Sequence, residues 1–386
     1  MVGKYLPTFS ARDALASIWP AGGGEEELRK TLAALYGVQH VFLFRSARTA
    51  LTALLSALGP KGVVVLPAYN CIAVPEAVAW AGWRTVLADI ALGDVNMTHE
   101  TLAQALPDEA RAVILTHQFG LPPMIEPLVD LCRRRGLFIV EDAAPAVGAR
   151  YRGQLTGRFG DAAVISFDLT KVLNAGHGGA LLTNNDAVAG KVASRQAGAR
   201  SSGSFLDFAK ASAWWMATRP CAYGALRKAR SLLRKDELYE VAVPNEQPPT
   251  DIFQSCSGYV ARLAGRQIAA LEANVAARQA LARIYAGELG GVSRVTMPSV
   301  PEGAEPAWIQ FPIFVEKKAA CYDYLLKHGV DLNWTFRYSC GASYNVPHVP
   351  NAERAARTVL GLPTYPGLLA AEARRICDLL RRFFQG

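Results

Sequence analysis

Charge is scarce in this chain: Asp, Glu, Lys and Arg make up only 19% of its 386 residues, while 51% are hydrophobic. That balance excludes a disordered chain and leaves enough apolar side chain for a sizeable core. Long apolar runs are missing too. No uncharged stretch reaches the length of a membrane span, and the N-terminus lacks the apolar segment of a signal peptide. The net charge of +8 is spread along the chain rather than gathered in blocks, so no nucleic-acid role is expected. The seven cysteines (Cys71, Cys132, Cys221, Cys256, Cys321, Cys340 and Cys377) are odd in number, scattered and never in a C-x-x-C pair. This excludes a disulfide frame and a zinc site and points to reduced, cytoplasmic thiols. The six histidines do not cluster with them, so no metal is expected. G-x-S-x-G, H-E-x-x-H and the glycines of a P-loop or dinucleotide fingerprint are all missing.

What is present is a rhythm. From Glu25 to about Asn185, short apolar runs alternate with amphipathic helices. The strands are Val41–Phe44, Gly62–Pro67, Thr85–Ala88, Ala112–Thr116, Leu137–Val140 and Ala162–Phe167. Helices are read at Glu25–Tyr36, Thr49–Leu58, Pro75–Ala81 and Ile125–Arg135. Such runs indicate an α/β fold with a mostly parallel central sheet covered by helices on both faces. In such sheets a ligand lies beyond the carboxyl ends of the strands. Ser201–Asn245 breaks the rhythm with a basic, aromatic insertion holding Trp214, Trp215 and Tyr223 and split by Pro220. Two readings stand for it: a helical hairpin packed on the body or on a second subunit, or a membrane-surface contact through residues 205–235. One long helix, Arg262–Leu289, is expected next, ended by Gly290-Gly291. Strand Ile309–Val315 and helices Ala319–His328 and Ala370–Phe384 then form a smaller α+β domain. The expected division is an N-terminal segment 1–24, a large domain 25–250 and a C-terminal part 251–386.

Two strand-end residues carry the chemistry. Asp142 closes the apolar run of FIVEDAAPAVGA (Phe138–Ala149), and Lys171 follows a second run in ISFDLTKVLNAGHGGALLT (Ile165–Thr183). A pyridoxal phosphate (PLP) enzyme needs those two groups. The lysine bonds the cofactor's aldehyde carbon, and the carboxylate keeps the pyridine nitrogen protonated so that the ring acts as an electron sink. Ser166, five residues before Lys171, is placed to bond a phosphate, and Gly176, Gly178 and Gly179 permit close backbone approach. In FRSARTALTALLSALG (Phe44–Gly59) a strand meets a helix at Ser46-Ala47-Arg48-Thr49, where backbone N–H groups suit a phosphate and Arg48 adds charge. Each element has a plainer reading alone: a surface lysine, a helix-capping aspartate, a capped helix start. His117 is either a pocket residue or structural. His177 is either a proton shuttle or a loop histidine bonding the backbone.

Taken together these blocks resemble the DegT/StrS-type sugar aminotransferases, PLP enzymes of fold type I. The resemblance covers roughly Gly24 to Phe384. It includes VVVLPAYNCIAVPEAVAWAGWRTVLADI (Val63–Ile90), THQFG (Thr116–Gly120), the most specific block EDAAPAVGARYRGQLTGRFGDAAVISFDLTK (Glu141–Lys171), a Gly-Tyr…Arg run followed by Gln267, and a Leu-Pro turn in VLGLPTYPGL (Val359–Leu368). The resemblance implies that Lys171 holds the cofactor, that Asp142 pairs with its pyridinium, and that Ser166, Ala47 and Arg48 cradle its phosphate. It implies a keto-sugar substrate, probed first as a nucleotide-linked one, L-glutamate as amine donor, and a homodimer. Some relatives carry histidine at the lysine position and act as dehydratases. Lysine here favours transamination.

Three residues depart from the family pattern. Pro145 stands where glutamine is usual, Val260 where an asparagine reaches the neighbouring subunit's phosphate, and Cys71 where an aromatic covers the cofactor ring. Stacking must then come from elsewhere, with Tyr69 as the candidate. The departures keep two other readings open: different PLP chemistry such as dehydration, or a sugar- or lipid-glycan-binding protein without turnover. The expected location is cytoplasmic, with the insertion as a peripheral contact at the inner membrane face.

Overall fold

The structure is a computed structural model that describes residues 1–19, 24–199, 201, 203–219, 222–227, 244–245, 247–344, 346 and 348–385. Its centre is a seven-stranded sheet. In chain order the strands are β1 (His40–Phe44), β2 (Val63–Pro67), β3 (Arg84–Ala88), β4 (Ala110–Thr116), β5 (Phe138–Asp142), β8 (Ala162–Ser166) and β9 (Gly179–Thr183), with a small hairpin of β6 (Arg150–Tyr151) and β7 (Gln154–Leu155) between β5 and β8. The spatial order is β1-β9-β8-β5-β4-β2-β3. β3, β2, β4, β5 and β8 run parallel, and β9 lies antiparallel between β8 and β1. The parallel strands are apolar on both faces because helices cover both: β2 and β8 are buried throughout.

The C-terminal unit has its own antiparallel sheet of β10 (Val295–Thr296), β12 (Gln310–Val315) and β13 (Val359–Pro363). A further short strand, β11 (Ala304–Glu305), pairs with β6 and ties this unit to the main body. Helices Lys318–Lys327 and Ala370–Gln385 pack beside it, their buried faces carrying Cys321, Tyr322, Leu325, Ile376 and Leu380.

Two local expectations change. The single helix expected at Arg262–Leu289 is two, Gly258–Ile268 and Leu271–Leu289, parted at Ala269-Ala270. Alanine gives no breaking signal. The break follows from tertiary packing, because the two helices bury differently directed stripes, Tyr259, Leu263 and Gln267 on one and Leu271, Val275 and Arg278 on the other. The Leu-Pro segment expected as a turn is instead β13, whose residues Val359 to Pro363 pair with Phe314 to Gln310.

In the insertion, helix Ser204–Ala217 packs through Phe208 edge-on against Tyr259, and a second helix covers 222–227. Arg227 does not face outward. Its Nε lies 3.1 Å from the buried carboxylate of Asp331, which also accepts from the hydroxyls of Tyr223 and Tyr322. The basic residues Lys228 and Arg230 and most of the run behind them lie outside the described residues. Among the described residues no helix is long and apolar enough to cross a membrane.

Candidate active site

The carboxyl ends of β4, β5 and β8 open into a cavity of about 640 Å³. Strand alternation decides what enters it. Thr116 is paired with Asp142 across β4 and β5, and both side chains face the cavity; the next residue on each strand edge, His117 and Glu141, points the other way. Asp142 is buried. Its Oδ2 accepts from Thr116 Oγ1 at 3.3 Å and its Oδ1 from the Ala144 N–H at 3.2 Å, while Asn70 Nδ2 donates to Thr116 at 2.9 Å. No ion pair reaches this carboxylate among the described residues. Burial holds its pKa above the ordinary carboxylate value, and the nearby charge of Lys171 pulls it partly back.

Lys171 lies on the cavity wall in a turn five residues past the end of β8, with its N–H bonded to the Asp168 carbonyl at 3.0 Å. No hydrogen bond or ion pair occupies its ammonium group among the described residues. Ser166, the last residue of β8, is buried on the same wall, and its Oγ accepts from the Asp168 N–H at 3.2 Å.

At another part of the wall stands the start of helix Ala47–Ala57. Ser46 caps it, accepting from the Thr49 N–H at 3.1 Å. The N–H groups of Ala47 and Arg48 open the helix with no carbonyl of its own to meet, at its positive end. Gly179 lets β9 pack closely against this helix start: a Cβ there would stand 2.5 Å from the Ala47 nitrogen. Gly178, at φ 107, packs instead against Phe167 and Val260, whereas a Cβ on Gly176 would meet nothing within 4 Å. Arg48 is placed at the cradle, but its guanidinium is engaged by the buried Glu76 at 2.7 Å and lies over the Trp80 ring. Arg45 beside it pairs with Asp251.

Three residues expected at the site stand off the wall. His117 is fully buried, with Nε2 3.0 Å from Glu141, whose carboxylate also accepts from the N–H groups of Gly157, Phe159 and Gly160. His177 lies 2.7 Å from the buried Asp207 of the insertion helix. Tyr69 is fully buried, and its ring packs edge-on against Phe336. Cys71 does line the cavity and is exposed; Pro145 lines it too but is buried. Val260 is in the core, beside Gly178.

The cavity also has a wall that local motifs did not reveal. Gln310, Asn333, Thr335 and Phe336 reach it from the C-terminal unit, and Tyr5 from the N-terminal segment. Gln310 Nε2 donates to the Tyr5 hydroxyl at 2.6 Å, and its Oε1 accepts from Asn333 and Thr335 at 2.7 and 2.9 Å. This amide and hydroxyl group suits a polyhydroxylated ligand. Tyr5 lies 305 positions from Gln310, and Asn333 and Thr335 lie 23 and 25 from it, with no motif to join them. Thr116 was findable as the last residue of the apolar run AVILT, the same strand-end position that marked Asp142.

The donor set fits PLP. A buried carboxylate with no ion pair and an amine with no hydrogen bond among the described residues, together with a helix N-terminus, surround one cavity, in the chemistry that a pyridinium, an aldehyde and a phosphate require.

A profile of the DegT/DnrJ/EryC1/StrS aminotransferase family matches residues 10–208 and 257–381. The chain is 28% identical over 333 residues to a dTDP-4-dehydro-2,3,6-trideoxy-D-glucose 4-aminotransferase of Saccharopolyspora spinosa, covering 83% of this chain and 78% of that protein. It is 27% identical over 380 residues to a UDP-N-acetyl-3-dehydro-alpha-D-glucosamine 3-aminotransferase of Acidithiobacillus ferrooxidans, covering 95% and 90%. Among solved structures, DesV of S. venezuelae, solved in complex with a ketimine intermediate, shares the fold with a TM-score of 0.78 at 24% identity, covering 99% of both chains. NtdA of Bacillus subtilis, solved with bound PMP, does so with a TM-score of 0.75 at 20% identity, covering 99% of this chain and 83% of that one.

Proposed function

The chain belongs to the DegT/DnrJ/EryC1/StrS aminotransferase family of PLP-dependent enzymes, and on that premise we propose that it transfers the amino group of L-glutamate to a keto-sugar carried on a nucleotide. The observation that carries the reading is the facing of Asp142 and Lys171 across one cavity whose further wall is built of Tyr5, Gln310, Asn333 and Thr335.

When bound, PLP supplies an electron sink and a carbon that carries the amino group from donor to acceptor. Lys171 on the cavity wall would hold the cofactor through its Nζ, and the same amine would serve as the base for the proton on the donor's α-carbon. Asp142 keeps the ring nitrogen protonated, and Thr116 and the Ala144 N–H fix the carboxylate's orientation for that task. The Ala47 and Arg48 N–H groups and Ser166 hold the phosphate end. Arg48 contributes through the Glu76 pair rather than as a free cation. The amide and hydroxyl wall orients the sugar.

The test is product analysis with PLP, L-glutamate and a panel of nucleotide-linked keto-sugars. Equal amounts of 2-oxoglutarate and amino-sugar support the reading. Loss of a sugar hydroxyl without 2-oxoglutarate assigns dehydration, and sugar binding without any product assigns a non-catalytic role. Lysine at 171 supports transamination over dehydration.

The reading includes a homodimer and a membrane-surface contact through 205–235. Exposed Phe205, Leu206 and Met216 support an apolar contact there, whereas Arg227 is spent on Asp331. Flotation with anionic liposomes tests the membrane contact: protein that stays with the unbound fraction removes it.

A further inference from the structure

The ring-facing side of the cavity has a cysteine, Cys71, on its wall, and a thiol cannot offer a planar aromatic face. The loop that carries it is covered by the C-terminal unit. The Cys340 N–H donates to the Ala68 carbonyl at 2.8 Å, and Cys340 Sγ contacts the Asn70 carbonyl at 3.4 Å. Three aromatic rings meet beneath this junction. Phe336 stands edge-on to Tyr69 with centroids 5.1 Å apart and an interplanar angle of 87°, and 6.5 Å from Phe119. Tyr69 is fully buried and off the cavity wall, and Phe119, though it borders the cavity, is only 2% exposed. Phe336 is half-buried on the cavity wall and keeps a face free.

We propose that Phe336 supplies the aromatic surface against which the planar ring of PLP lies, in place of the one missing at Cys71. The inference rests on the PLP reading above. Its backbone is consistent with a held, functional side chain. Phe336 sits at φ 37, in the left-handed region that a bulky side chain adopts only when its surroundings enforce it. The enforcement is visible. Thr335 Oγ1 donates to Gln310 Oε1 at 2.9 Å, Asn333 exchanges backbone hydrogen bonds with Gly361, and the Lys318 ammonium reaches the Thr335 carbonyl at 3.5 Å. The C-terminal unit thus presents the Phe336 ring, packed at 87° to Tyr69, to a cavity whose Asp142 and Lys171 come from the main body. The cofactor's fit then depends on the docking of the C-terminal unit.

The experiment titrates PLP into the cofactor-free protein, read by tryptophan fluorescence quenching and by the circular dichroism of the bound cofactor. Phe336→Leu keeps an apolar side chain and removes the ring, and thermal unfolding reports whether it folds. PLP affinity is expected to fall about three- to tenfold, the range for loss of one aromatic contact, with a weakened dichroic band. Cys71→Phe in the Phe336→Leu background is expected to recover affinity. A folded Phe336→Leu protein that binds PLP as wild type does, with the same dichroism, overturns the proposal. So does a loss that Cys71→Phe leaves untouched. Failure of the wild-type protein to bind PLP is a separate result, which removes the functional reading itself.

Discussion

Gly179 passes so close beneath Ala47 that a Cβ at 179 would lie 2.5 Å from the Ala47 nitrogen and 2.9 Å from its Cα. Strand β9 and the start of helix Ala47–Ala57 can approach this way only because glycine has no side chain. Gly179→Ala must push the helix start away, at a cost of about 1–3 kcal/mol. If that helix start binds the phosphate, PLP affinity falls along with the melting temperature. Calorimetry with and without PLP checks this, the stabilisation by PLP being smaller in the variant than in wild type.

Asp142 is a buried carboxyl whose charged form burial disfavours and Lys171 only partly supports. Its pKa is raised by burial, so in the cofactor-free protein the folded state holds its proton to higher pH than the unfolded state. Stability from this group is therefore present at low pH and lost as pH rises past the folded value. Asp142→Asn is expected to stabilise the cofactor-free protein at neutral pH by about 1–3 kcal/mol. With PLP the order reverses, and aminotransfer drops on the order of 10²-fold or more. Unfolding curves of both proteins, each with and without PLP, check the reversal.

Lys318 is buried with two carbonyls and a Trp334 ring for company and, among the described residues, no carboxylate partner. Burial lowers its pKa to about 7, with Arg337 adding to the shift. Between that value and the ordinary lysine value the unfolded chain binds more protons than the folded one, so stability gains as pH rises through this window. The slope approaches about 1.4 kcal/mol per pH unit. In Lys318→Met this slope is absent, so the stability difference between wild type and variant moves in favour of wild type from neutral to alkaline pH. Denaturant melts across that range provide the check.

Glu141 gathers four donors, the Gly157, Phe159 and Gly160 N–H groups and His117. Glu141→Ala strands them in the interior, and a loss of about 3–5 kcal/mol is expected. His117→Gln is expected to leave most of the PLP affinity intact, since His117 faces Glu141 and not the cavity. A loss of PLP binding in His117→Gln as large as in Asp142→Asn would contradict that placement.

The central sheet was legible because parallel strands buried on both faces write themselves as short apolar runs such as GVVVLP. The strand-end placement of Asp142 and Lys171 was legible for the same reason. What local pattern did not carry was parity and distance. Adjacent Glu141 and Asp142 are chemically alike, and only the pairing of β4 with β5 decides which faces the cavity. Tyr5 meets Gln310 across 305 positions, and Phe336 meets Tyr69 through the docking of the C-terminal unit. The break at Ala269-Ala270 comes from packing alone, as alanine favours helix.

The most direct measurement is the visible absorption of the purified protein with added PLP, before and after L-glutamate, for wild type and Lys171→Ala. The account predicts a lysine-bound cofactor band in wild type that glutamate converts to the amine-bearing form, and no such band in Lys171→Ala. A wild-type protein without the band, or a band that survives the loss of Lys171, would contradict it.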